Sequence, residues 1–510
     1  MRRLLYAFSI AAVATASAVA DSSLSTTPKP LDEVWEAAYV QNQGGVDVKI
    51  GYVHMTSVPV TADGKSLIRT TKELRLVVGR ADAKVEMKAD VSTDEDGAGR
   101  VHAMLARTWL GKDKVQTRTF KVDGEKIIVD VGSGEQSFRW NPSNLGLAGE
   151  QTLLREKKAK PGDKFTYRYY EMQITHPVTV HVEVQKEEDV ALPPSGGKRR
   201  LLRVTATPEP LELPNGSKLR LPAGTFWADP IGYDTVKTMM EVPGVGMMSL
   251  IRTSKAAALA PNGQAPDLMK QQSIFLKTVV PDMHELNTIT YRISYKGEAL
   301  PKELVVADDR QAIKNIDGNT FDLVINAKRK ANGTGVEKSG PEFLRSNYFL
   351  NSDDAEVKKL AARAVGTEKD PWKQAQKIES FVRGFMLPAD FTEALAPADH
   401  VARTRTGDCT EYAMLTGAMC KVVGIPARTA IGLVYVNNLL GKPGLGFHMW
   451  TEVFINGQWL GIDATLGQGS VGPGHIKITD HSWADIKSVT PLLPVQGFLM
   501  AHPTIEVVGK

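Results

Sequence analysis

Residues 406–424 read Thr-Gly-Asp-Cys-Thr-Glu-Tyr-Ala-Met-Leu-Thr-Gly-Ala-Met-Cys-Lys-Val-Val-Gly, and residues 447–465 read Phe-His-Met-Trp-Thr-Glu-Val-Phe-Ile-Asn-Gly-Gln-Trp-Leu-Gly-Ile-Asp-Ala-Thr. In the first stretch, Asp408 with Glu411 three residues on is a reciprocal N-terminal cap, and Gly424-Ile425-Pro426 ends a helix. Cys409 therefore falls in the first turn. Unpaired N–H groups and the positive end of the dipole favour a thiolate there, and suit an oxyanion developing on a carbonyl under attack. Cys420, among Leu415, Met419 and Val423, reads as an inert core thiol. In the second stretch, Asn456-Gly457 is a two-residue hairpin loop. It sets Ile455 against Gln458 and, by unit steps, Trp450 against Asp463 and His448 against Thr465. His448 and Asp463 are then diagonal neighbours on one face, with Cβ atoms ~7 Å apart or less.

A thiol at a helix N-terminus, joined to an imidazole with an acid beside it, makes a nucleophile, base and orienter. Four blocks carry a further signal: Gly407-Asp408-Cys409-Thr410-Glu411, Gly424-Ile425-Pro426-Ala427-Arg428, Phe447 to Val453, and Trp459 to Thr465. In that order they resemble the transglutaminase-like superfamily, within the broader papain-like fold, over roughly residues 341 to 485. The resemblance implies Cys409 as nucleophile, His448 as general base and acid, and Asp463 as orienter, with no cofactor. Arg428 reads as structural, and Trp450 and Trp459 as core packing rather than site walls. His475 and His481, with Asp480 and Asp485 nearby, lack a helical i,i+4 spacing and a third clear ligand, so no metal is expected. Asp353 and Asp354 form no EF-hand pattern, and the calcium dependence of animal transglutaminases does not transfer.

Outward from this core the patterning changes. Ser352-Asp353-Asp354 and Asp370-Pro371 each open a helix, the second with a stripe of Trp372, Ala375, Ile378, Phe381, Val382 and Phe385. Upstream, Ile289 to Tyr295 and Phe321 to Ile325 read as strands. From about Trp35 to Ala260 the period is two: Val85, Met87 and Ala89 alternate with Lys84, Glu86 and Lys88, and Val178, Val180, Val182 and Val184 with Thr179, His181 and Glu183. Pro214-Asn215-Gly216-Ser217 reads as a hairpin connection, and Ala260 to Pro266 as a linker. The expected class is α+β. A papain/transglutaminase-like core at 341–510 follows a large antiparallel β domain (curved sheet or half-barrel) at 21–266 and a small β-rich connecting domain at 267–340.

The chain has 510 residues, 42% apolar and 24% charged, with a formal net charge of +4. That balance gives no electrostatic case for nucleic acid or an anionic membrane. Arg2 and Arg3, an apolar run from Leu4 and Ala18-Val19-Ala20 make residues 1–20 a signal peptide with the mature chain starting at Asp21, and no transmembrane segment after its removal. Periplasmic or secreted localisation follows. Cys409 and Cys420 would lie roughly 16 Å apart in one helix, too far for a disulfide, which needs less than about 7 Å. The expected activity is attack on an amide or peptide bond through an acyl-enzyme thioester, ending in hydrolysis or transamidation. The substrate would be a protein or peptide, and the N-terminal β domain is a candidate contact for a cell-envelope component. The rival reading is a catalytically silent envelope binding or scaffold protein built on the same core.

Overall fold

The computed structural model describes residues 30–510 outside 42–44, 81–82, 110–114, 131–134, 194–196, 213–217, 243–244, 265–266, 268–271, 298, 334–338, 389–394 and 485–489. The leader, the Pro214–Ser217 turn, the Ala265-Pro266 end of the linker and Asp485 lie outside the described residues. Two compact units emerge: one formed by Met1–Glu212 and Arg220–Leu268, the other by Leu213–Leu219 and Met269–Lys510. Among the described residues, no helix is long and apolar enough to cross a membrane.

The first unit is built on a fifteen-stranded sheet. Two-residue alternation marks its long strands: in Ala83–Glu95, Val85, Met87, Ala89 and Val91 are buried while the residues between them are not. The ladder is antiparallel throughout except for the terminal pair, where Asn144–Leu145 runs parallel to Lys164–Glu171. Asn144–Leu145 also bridges back to Arg100, far across the strand order, so the sheet curls on itself. The helix Leu147–Lys157 begins at that bridge. Its first amides are held by the sheet: Ala148 and Gly149 N–H donate to the Glu95 carboxylate at 3.0 and 3.1 Å, and Leu147 N–H to Thr93 Oγ1 at 3.0 Å. A carboxylate at a helix N-terminus satisfies donors that the helix cannot, and complements its dipole. Asp32–Gln41 and Gly246–Thr253, from opposite ends of the unit, pair mid-sheet.

The second unit combines four helices longer than one turn ahead of its main sheet with two sheets. Ala355–Val365 starts at Asp354, whose carboxylate accepts from Glu356 and Val357 N–H, and Pro371–Phe385 starts at Asp370, which accepts from Lys373 N–H. Ala398–Thr404 leads into Cys409–Val422. The larger sheet centres on Ala427–Leu439, flanked by Lys442–Ile455 and His475–His481, with Gln458–Ile462 added to Lys442–Ile455. The smaller sheet orders Gln311–Asp317, Thr320–Asn326, Thr288–Ser294 and Thr504–Gly509. Residues upstream of 341 are thus woven into the same unit as those downstream. Arg310 donates to the carbonyls of Gly472 and His475 at 2.7 and 2.8 Å, and Gln311 exchanges bonds with the Lys477 backbone.

The strands of the larger sheet carry a largely buried charge network. Arg428 pairs with Glu452 at 2.7 Å and Asp480 at 2.9 Å; Lys477 reaches Glu452 at 3.0 Å, Asp308 at 2.5 Å and Asp480 at 3.3 Å. Arg428 also lies 4.0 Å over the ring of Trp459, which is half-buried rather than part of the core. Burial alone would raise the Glu452 carboxyl, but Lys477 and Arg428 hold it down at about 2. Burial likewise works against the Lys477 ammonium, and its carboxylate neighbours outweigh it. Lys477→Met keeps the stem and leaves buried carboxylates short of a cation. It should lower the stability of this unit by about 3–5 kcal/mol, read from the shift of its chemical-denaturation midpoint.

Candidate active site

The cysteine helix starts where its cap dictates. Asp408 Oδ1 accepts from Thr410 N–H at 3.0 Å, and Glu411 Oε2 accepts from Asp408 N–H at 3.0 Å, the two halves of a capping box. Cys409 is the first helical residue and is only partly buried, whereas Cys420 is fully enclosed and burial pushes its thiol pKa up. The helix ends as expected: Gly424 adopts φ +83°, and Ile425 N–H returns to Cys420 O at 3.0 Å. Thr410 N–H is thereby committed to the Asp408 cap.

Glu411 is buried and accepts from Ala396 N–H at 2.7 Å and from Thr410 Oγ1 at 2.8 Å as well as from Asp408. Desolvation, and after it the negative charge of Asp408, raise its pKa to about 8.

The hairpin turns at Asn456 and Gly457 with φ of +52° and +78°, the primed-turn geometry that Asn-Gly favours. Its register runs as expected from Ile455↔Gln458 to Thr451↔Ile462, and there the ladder stops. Asp463 leaves the strand because its own Oδ1 accepts from Thr465 N–H at 2.9 Å and Leu466 N–H at 3.3 Å, a local bond pattern that competes with the ladder. Leaving the strand turns Oδ2 onto His448 Nε2, 2.8 Å away. With Nε2 facing a carboxylate, it carries the proton, and Nδ1 is left as the basic nitrogen.

A residue outside the expected site completes the arrangement. His475 Nε2 lies 2.9 Å from the same Asp463 Oδ2, and both groups are fully buried. Burial would raise the Asp463 carboxyl, but the charge and hydrogen bond of His448 and the bond from His475 hold it well below the usual range. Burial takes His475 down to about 3 despite Asp463, so it is neutral. Trp450 is buried as expected of core, yet also flanks both imidazoles, 6.2 Å from His448 in a stacked arrangement and 5.0 Å edge-on from His475. His481 is elsewhere: its Nδ1 accepts from Trp483 N–H, and burial lowers it to about 4. His448, Asp463 and His475 offer three atoms within 4.8 Å of one another that a cation could in principle engage, and the two Nε2–H···Oδ2 bonds already account for those contacts.

The cysteine helix and the strand Lys442–Ile455 run side by side in the same sense. Phe454 N–H bonds Pro426 O at 2.9 Å just beyond the helix C-terminus, and Thr451 Oγ1 bonds Ala413 O at 3.0 Å nearer its start. The second bond ties the helix four residues beyond Cys409 to the strand three residues beyond His448. The loop after Asp463 is clamped by the helix Pro371–Phe385, where Arg383 reaches Thr465 O at 3.1 Å and the buried Glu379 accepts from Gly469 N–H at 3.1 Å.

The model of the Transglutaminase-like superfamily matches residues 358–464. The Kyphoscoliosis peptidase of Mus musculus is 33% identical over 92 residues, 17% of this chain and 14% of that protein. The Homo sapiens protein of the same name is 32% identical over 84 residues, 16% of this chain and 12% of its own length. The chain thus spans a small part of the curated relatives it matches. Among solved structures, the periplasmic domain of TgpA from Pseudomonas aeruginosa bound to ethylmercury is 14% identical and covers 36% of this chain and 91% of that one, with a TM-score of 0.23.

Two outcomes follow from the local chemistry. Brief iodoacetamide treatment near neutral pH should label Cys409 far faster than Cys420, as read by peptide mapping; equal labelling would remove Cys409 as a nucleophile. Glu411 keeps its proton in the folded chain at pH values where the unfolded chain has lost it, so its contribution to stability falls as pH rises from 4.5 through about 8. Glu411→Gln mimics the protonated form and should flatten that part of the stability-versus-pH curve in thermal melts.

Proposed function

Starting from the transglutaminase-like domain that residues 358–464 form, we propose that this protein is an exported thiol enzyme acting on amide bonds of a protein or peptide. The observation that carries the reading is the buried His448–Asp463 hydrogen bond of 2.8 Å, on the strand that Thr451 ties to the Cys409 helix. In this reading Cys409 Sγ gives its proton to His448 Nδ1 and attacks the carbonyl carbon. The C–N bond breaks, the departing amine takes the proton from Nδ1, and a thioester remains on Sγ. Water, deprotonated by Nδ1, then releases the acid and restores the thiol; an amine in place of water gives transamidation. Asp463 fixes the ring and stabilises the imidazolium without itself taking the proton. The peptidase name of the matched relatives favours hydrolysis as the outcome. The apolar leader supports export, and the N-terminal β unit is proposed to meet a cell-envelope component.

Asp463→Asn keeps the shape and removes the charge. Folding should survive while acyl transfer from a screened amide substrate falls by about 10⁴, the size of effect seen for that exchange in a comparable triad. Cys409→Ala should be at least as damaging, and the double variant little worse than the worse single one. Following ammonia or amine release together with amine incorporation separates hydrolysis from transamidation. A folded Asp463→Asn protein with near-full activity would make the His448–Asp463 pair structural and remove the triad from this reading.

A further inference from the structure

Resting on that reading, we infer that His475 is a positioning residue of the site. It donates its Nε2–H to the Asp463 oxygen that also receives His448 Nε2–H, and so fixes the carboxylate and limits the negative charge it offers to His448. Asp463 is saturated. Oδ1 takes the amides of Thr465 and Leu466, and Oδ2 takes the two imidazoles at 2.8 and 2.9 Å. A carboxylate held by four donors has no freedom to rotate, and every donor it serves lowers its basicity toward the others.

The tautomers follow from the acceptors. His475 faces a carboxylate through Nε2, so Nε2 bears the proton and Nδ1, buried and without a hydrogen-bond partner among the described residues, bears the lone pair. Beside it, 5.4 Å between ring centroids, His284 faces the Tyr435 carbonyl through Nε2 at 3.0 Å and takes the same form, its Nδ1 likewise buried and unpartnered. The groups around the His475 ring are Asp463, His448, His284 and the Trp450 edge, while Arg310 binds its backbone carbonyl. Among these, Asp463 is the anion that its Nε2–H reaches. The neighbouring His284 is closely packed: a Cβ on Gly474 would sit 2.7 Å from His284 Cε1, and one on Gly472 would overlap the His284 carbonyl.

The test is the pH dependence of Cys409 alkylation in the full chain. The rate should rise once as thiolate forms beside the imidazolium, and again as the imidazolium loses its proton. His475→Phe keeps a ring of similar size and removes the donor. Asp463 then gives more charge to His448, and the upper step should move to higher pH by about half a unit to one unit. His475→Gln returns an N–H to the carboxylate and should restore the wild-type profile. A folded His475→Phe protein with an unmoved upper step would reduce His475 to packing. Wild-type Cys409 alkylating in a single step at an ordinary thiol pKa would instead remove the thiol-enzyme reading, and this inference with it. Imidazole ¹⁵N spectra of the wild-type chain keep the question decidable if His475→Phe does not fold. His475 should stay neutral with its proton on Nε2 from pH 5 to 9, and an Nδ1–H form or protonation in that range would overturn the assignment.

Discussion

One carboxylate, that of Asp463, sets the terms for the second unit of this molecule. It lies in a dry interior where an unpaired anion would be untenable, and it stays ionised because four N–H groups converge on it. Each donor comes from a different structural commitment. Two backbone amides bend the chain off the hairpin, one imidazole arrives on the hairpin strand, and the other on a strand closed far along the chain. Displacing any of them leaves a buried charge short of a partner, which makes the surrounding geometry a single cooperative arrangement.

A second layer of charge supports the first. Lys477, two residues beyond His475, is tied to Glu452, four residues beyond His448, and Arg428 joins Glu452 to Asp480. The strands that carry the two imidazoles are therefore braced through the central strand Ala427–Leu439 as well as by its ladders. Gly432 sits between them, opposite His448; a Cβ there would lie 2.0 Å from Ile476 O, so the close approach of the His475 strand depends on its having no side chain. Arg310 and Gln311 then fasten that strand from the other side.

What could be read in advance was what short-range chemistry specifies. The Asp408–Glu411 cap, the Asn456-Gly457 turn and the glycine after the cysteine helix each act within a few residues, and each placed its element correctly. The register count brought Asp463 to His448 although the ladder ends one residue earlier, because an Asx-type turn aims the carboxylate where the strand would have carried it. His475 escaped because its position depends on a strand pairing with Ala427–Leu439 across the glycine-containing stretch 466–474, for which no local rule sets the register. So many strands without intervening helix point to a curved N-terminal sheet, but alternation, which reports which face of a strand is buried, says nothing of the bridge between Arg100 and Leu145.

Both units are closed by partners distant in sequence. Trp35 lies opposite Thr253 in the first sheet, and Ile293 opposite Ile505 in the second. Chains whose contacts span such separations fold slowly and late, since loop closure must precede the contacts that reward it. A polypeptide emerging from its N-terminus first has no finished unit to trap until about residue 253 is out, and no finished second sheet until about residue 505 is. The same long-range zips that hold the folded protein together thus leave the growing chain open until its late residues are made.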